Sequence, residues 1–170
     1  ECQRMIQVSE EMGYSEDAPV TLGRKIRHNE NVVWIMDHDI NQKIFERSLL
    51  PSKLEFQGYD LGAPIGLNRR WRLYKYNPND VFKFHTDGAW TGSGIDLKTG
   101  EYSDDLYNGT ALSFMTFLIY LNDDFEGGST AFRRANGDIF HVQPSQGSVL
   151  CFYHGNHPLS LLHEGSLVAK

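Results

Sequence analysis

The segment "FKFHTDGAW", residues 82 to 90, sets His85 and Asp87 two positions apart inside an aromatic run of strand character. Side chains alternate along a strand, so residues at this spacing leave on the same face and converge on one point. An imidazole nitrogen and a carboxylate oxygen brought together in that way suit a divalent metal ion. Taken alone the pair is weak evidence, because the chain has seven histidines and a second match of the same kind at His28 and Glu30. Those two stand in a polar linker, for which a solvated loop is the expected reading.

A third ligand has to come from downstream, where His141, His154, His157 and His163 are the candidates. His163 follows the apolar "LSLL", and in a strand it shares a face with Leu161 while Glu164 points away, so it can sit on an inner wall opposite the first pair. Two histidines and one carboxylate make the facial set that binds non-haem Fe(II) and leaves three positions open. Zinc more often takes three or four His and Cys ligands. Cysteine ligation is not on offer: Cys2 and Cys151 are far apart with no CxxC spacing, and Cys151 in "SVLCFY" reads as a buried free thiol. The His-x-His that cupins usually carry is absent.

The elements that must hold these residues follow from periodicity. Apolar residues at Cys2, Met5, Ile6 and Met12, with Gly13 as C-cap, predict a helix over residues 2 to 12. "NVVWIMD" is a short β-rich run, and "DINQKIFERSLLP" predicts a second helix with Asp39 as N-cap and Pro51 as stop. After Pro51 the period changes to two. "RRWRLYKYN" reads as a strand with Arg70, Arg72, Tyr74 and Tyr76 on one face, "NPND" as a turn, and "VFKFHTD" as the next strand. "ALSFMTFLIYLN" is apolar enough to predict a long inner strand. "STAFRR" and "IFHVQP" flank "ANGD" as a hairpin, and "GSVLCFYH" and "LSLLHEGSLVAK" add further strands. Two helices followed by about seven strands describe a mainly β domain with flanking helices, a sandwich or barrel of the jelly-roll kind. Residues 89 to 108 read as a long loop carrying Trp90, Tyr102 and Tyr107, and a substrate lid is the expectation there.

Composition sets the outer bounds. A chain of 170 residues with 40% hydrophobic content is one domain on the usual prior, with core enough to fold without disulfides or a structural metal. The net charge of -6 opposes a nucleic-acid partner, and no apolar run approaches the roughly 18 residues that cross a bilayer. The compartment stays open. The chain opens directly in helical periodicity and stops at Lys170 inside a strand-like run, so a single domain of residues 1-170 truncated at both ends is expected. Residues 1-65 then form a helical support region and 66-170 a catalytic jelly-roll core.

Four blocks, "GLNRRWRLYKYNPNDVFKFHTDG", "TFLIYLNDDFEGGSTAF", "VQPSQGSVLCFYH" and "LLHEGSLVAK", together resemble the Fe(II)/2-oxoglutarate-dependent dioxygenases of the prolyl 4-hydroxylase type, in order and in spacing. The resemblance spans most of residues 66 to 170. It implies a double-stranded β-helix fold and hydroxylation of an unactivated C–H bond, of peptidyl proline or of a free amino acid or small metabolite. A non-catalytic binding barrel is the alternative. It implies His85, Asp87 and His163 as Fe(II) ligands, Tyr76 and Tyr120 beside the cosubstrate 2-oxoglutarate, and ascorbate as a further cofactor. Asn79 stands where the family commonly has a turn glycine, a left-handed position that Asn tolerates. The family's basic anchor for the distal carboxylate of 2-oxoglutarate stands roughly ten residues after the last ligand, so it is expected beyond Lys170, which by alternation faces away from His163.

Overall fold

The computed structural model describes residues 1–16, 26–48, 50, 52–56 and 58–170, and it is mainly β, with two helices and antiparallel ladders. In chain order the elements are α1 (Cys2–Met12), β1 (Arg27–His28), β2 (Glu30–Ile35), α2 (His38–Arg47), β3 (Leu54–Phe56), β4 (Tyr59–Gly62) and β5 (Arg70–Lys75). They continue with β6 (Val81–His85), β7 (Gly94–Ile95), β8 (Tyr102–Ser103), β9 (Met115–Ile119), β10 (Thr130–Arg133), β11 (Ile139–Val142), β12 (Val149–Tyr153) and β13 (Leu162–Gly165). By internal packing the chain divides into two units, one of residues 1–33, 72–88 and 115–170 and another of residues 34–71 and 89–114.

The first unit holds a five-stranded sheet in the order β1-β6-β13-β10-β11 and the two-stranded ladder β12-β9. Phe132 of β10 meets Phe152 of β12 edge to face at 5.1 Å, and both rings approach His163, so aromatic residues fill the space between the two ladders. Ala131 and Phe132 are buried at the centre of β10. The β10–β11 hairpin turns at Gly137, whose φ of 91° is open to glycine and costly for other residues. α1 ends at Gly13, φ 84°, as its periodicity implies, and Asn79 takes a φ of 74° in the turn before β6.

The second unit contains α2, the β3–β4 hairpin and the β7–β8 hairpin. Asn41 of α2 is its polar pivot: Nδ2 donates to the Leu67 carbonyl and Oδ1 accepts from Trp71 Nε1 at 2.9 Å. No helix among the described residues is long and apolar enough to cross a membrane.

Several expectations change. The α2 cap is Asp37, whose side chain accepts from the amides of Asp39 and Ile40; Asp39 is already inside the first turn. The helix ends at Arg47, and Pro51 lies outside the described residues. Residues 1-65 are not only helical, since β1 to β4 fall there. His28 and Glu30 are not in a loop: His28 is in β1 and pairs with the buried carboxylate of Asp80, and Glu30 opens β2. The strand at 111 to 122 is shorter, Met115–Ile119, and among the described residues pairs only with β12. The segment 89 to 108 carries the β7–β8 hairpin in place of an unstructured loop, and its Trp90, Tyr102 and Tyr107 are exposed. Cys151 is a free thiol, as expected, though only half-buried.

Candidate metal centre

Antiparallel pairing of β6 with β13 sets His163 directly opposite His85 and brings their rings to 4.3 Å. Asp87 follows two residues after His85, past the end of β6, and reaches both imidazoles. Its Oδ1 lies 3.5 Å from His85 Nε2, and its Oδ2 lies 3.5 Å from His163 Nε2. One ligand atom from each residue falls within 4.8 Å of the others.

Two neighbouring ligands of an octahedral ion, each at about 2.1 Å, lie about 3 Å apart, so these separations approach those of a filled site. The tautomers suit the task as well. His85 Nδ1 is 2.7 Å from the Lys83 carbonyl and His163 Nδ1 is 3.3 Å from the Leu161 carbonyl. A carbonyl only accepts, so each Nδ1 carries a proton and Nε2 is the nitrogen each ring turns towards Asp87 and could offer to a metal. Chemically the donor set fits a divalent first-row cation.

The local electrostatics favour an ionised carboxylate. Burial acts to raise the Asp87 pKa, but the His85 ring, the Thr116 hydroxyl and the charge the two imidazoles carry when protonated outweigh it and bring the value down to about 2; a bound cation would take the place of those protons. Burial lowers the His163 pKa, against the pull of Asp87, because its ring sits among Phe132 and Phe152. A neutral imidazole and a charged carboxylate are the forms that bind metal.

Two supports escaped the periodicity argument. Thr116 of β9 donates its hydroxyl to Asp87 Oδ2 at 2.6 Å and holds the carboxylate in place. Phe82 stacks on His85 at 3.5 Å. Strict alternation puts residues 82 and 85 on opposite faces, but the register slips between His163/His85 and Gly165/Phe82, three steps on β6 against two on β13. That bulge turns Phe82 to the side of the ligands.

The other candidates are elsewhere. His154 is buried, and the amide of Gly155 beside it donates to the Asp87 carbonyl, yet His154 is not in the ligand cluster. His157 stacks on Tyr153, and His141 Nδ1 meets the Ser129 hydroxyl. Tyr76 and Tyr120 reach two residues that face each other across the β10–β13 ladder, Gly165 and Thr130. Tyr120 hydrogen-bonds Thr130 of β10 at 2.6 Å, while the Tyr76 hydroxyl lies by Gly165 of β13, where an added methyl group would meet it at 3.3 Å. Lys170 is exposed, and its carbonyl accepts from the Glu126 amide. Models of known protein families and the curated proteins, compared with this chain, give no match.

Proposed function

We propose that this protein is an Fe(II)- and 2-oxoglutarate-dependent dioxygenase that hydroxylates an unactivated C–H bond, on a jelly-roll framework of the prolyl 4-hydroxylase kind. The observation that carries the reading is the trio of His85 Nε2, His163 Nε2 and the Asp87 carboxylate, gathered on adjoining strands with both Nδ1 atoms turned to backbone carbonyls. Three protein ligands of this kind leave coordination positions for a chelating cosubstrate and for dioxygen. When bound, Fe(II) would activate dioxygen, the oxidant, with two electrons from 2-oxoglutarate as it loses carbon dioxide, so that one oxygen atom would go to the new hydroxyl and one to succinate.

The chain's own residues hold and orient. Asp87, kept ionised and fixed by Thr116, supplies the negative charge that balances a dication, and His85 and His163 supply neutral nitrogens. Phe82, Phe132 and Phe152 pack around the imidazoles and exclude water from them. The hydroxyls of Tyr120 and Thr130 offer polar contacts for the cosubstrate. Ascorbate, as a reductant in solution, needs no site on the chain.

The reading is tested by succinate formation from 2-oxoglutarate with added Fe(II), against a panel of proline-containing peptides and free amino acids. Stimulation by a panel member that disappears in Asp87→Ala supports it. Succinate production that ignores Fe(II), or survives in Asp87→Ala, removes it.

A further inference from the structure

Arg27 of β1 is 8% exposed, and no carboxylate among the described residues lies in ion-pair reach of it. Its Nε donates to Asn29 Oδ1 at 2.9 Å, but Nη2 is buried without an acceptor, and so is Asn29 Nδ2, on a residue 7% exposed. Asp80, the carboxylate of this neighbourhood, is already committed: one oxygen pairs with His28 and the other accepts the Asn77 amide. A buried guanidinium without a counter-charge is costly, and adjoining buried donors left open repeat that cost. Both costs vanish when an anion arrives.

The place of these donors says which anion is meant. Arg27 is paired across the ladder with Phe82, and its guanidinium lies 5.1 Å from the Phe82 ring and 4.6 Å over Tyr74. Phe82 in turn stacks on His85, so a single aromatic ring separates the guanidinium from the first proposed metal ligand. The β6 bulge that turned Phe82 towards His85 thereby puts Arg27 on the ligand-bearing face. Arg72 adds a second cation, its Nη1 donating to the Tyr74 hydroxyl at 3.2 Å, and the Tyr76 hydroxyl overlies Gly165. Tyr120 and Thr130 approach from the β10 side of β13, whereas Arg27 flanks β6 on its other edge.

We propose that Arg27 and Asn29, with Arg72 and Tyr76 beside them, form an anion subsite that binds a carboxylate of a molecule held at the metal centre. The placement beside that centre rests on the dioxygenase reading; the anion site itself does not. Two carboxylates have this chemistry, the distal one of 2-oxoglutarate and one carried by the molecule to be hydroxylated. In the second case the substrate is an acid, such as a free amino acid or another small carboxylate.

The experiment compares thermal unfolding of the metal-free protein in sodium acetate and in sodium chloride at matched ionic strength. The wild type should gain a saturable rise in Tm of about 5 °C in acetate over chloride. Arg27→Met, which keeps the stacking surface and removes the charge, should lose that difference while unfolding in chloride no lower than the wild type. Arg27→Lys, which restores charge without the planar fork, should show a smaller acetate response. An equal wild-type Tm in the two salts overturns the subsite, as does an Arg27→Met response matching the wild type. Should Arg27→Met fail to fold, the wild-type and Arg27→Lys curves still decide. Repeating the acetate titration on Mn(II)-loaded protein saturated with 2-oxoglutarate separates the sources. An abolished response assigns the subsite to the cosubstrate, and a retained one to the substrate. The metal-free measurement needs no turnover, so its failure and the failure of the dioxygenase reading are separate results.

Discussion

Replacing Thr116 by Val removes one hydroxyl and keeps the shape of the side chain, so it isolates the 2.6 Å hydrogen bond to Asp87 Oδ2. A bond that short to an ionised carboxylate is charge-assisted, and such bonds contribute about 1.5–3 kcal/mol, or roughly tenfold to a hundredfold in an equilibrium constant. Groups that orient a metal ligand carry a similar weight, about 10- to 100-fold in metal affinity. The Asp87 side chain keeps 31% of its surface exposed, so water takes over part of the lost bond and the lower end of the range, about tenfold, is expected. The Asp87 pKa should rise from about 2 towards the ordinary carboxylate value, leaving it ionised at pH 7. Calorimetric titration of Mn(II) into metal-free wild type, Thr116→Val and Thr116→Ser measures the effect. Thr116→Ser should bind nearly as the wild type does. Thr116→Val within twofold of wild type would refute the idea that β9 positions the carboxylate.

Four further outcomes are expected. Burial holds the pKa values of His154 and His163 below the usual value, so the unfolded chain takes up protons that the folded one refuses; the metal-free protein should lose stability as pH falls through about 6.5, seen in urea midpoints at pH 7.5 and 5.5. The Cys151 thiol is pushed up by burial, so the folded state keeps a proton that the unfolded state releases, and stability should fall as pH rises above about 9; alkylation of Cys151 should be slow at pH 8.5 unless urea is added. Asp37→Ala strips α2 of its side-chain cap and should cost about 1 kcal/mol, a Tm drop of about 2–4 °C. On the dioxygenase reading, with residues 89 to 108 read from sequence as a substrate lid, Trp90→Ala should impair substrate-coupled turnover more than uncoupled decarboxylation of 2-oxoglutarate; equal effects on the two rates would remove the lid role.

The His85–Asp87 pair was accessible from alternation, and the resemblance of the four blocks singled out His163 among the downstream histidines. His85 and Asp87 share a face because they stand two positions apart, and an apolar run leads into His163. The β10–β11 hairpin was legible in its Asn-Gly turn, and α1 in its spacing and terminal glycine. Thr116 was hidden because its role depends on where β9 lies against the loop after β6, and no local pattern encodes that distance. Phe82 and Arg27 were hidden for a different reason: a bulge reverses the parity that alternation assumes, and a two-residue strand such as β1 has no period to detect. The same brevity made His28 read as solvated, although it is the partner of buried Asp80. At α2, acidic residues at 37 and 39 compete for one cap, and the extended backbone of Asp37, ψ 142°, decides between them.

Anaerobic titration of Fe(II) into the metal-free protein, with Asp87→Ala and His163→Ala alongside, addresses the central claim most directly. One Fe(II) per chain is predicted for the wild type, with at least a hundredfold weaker binding in each variant and unchanged far-UV circular dichroism. Binding that persists undiminished in His163→Ala, or no binding by the wild type, would contradict the assignment of His85, Asp87 and His163 as a metal centre.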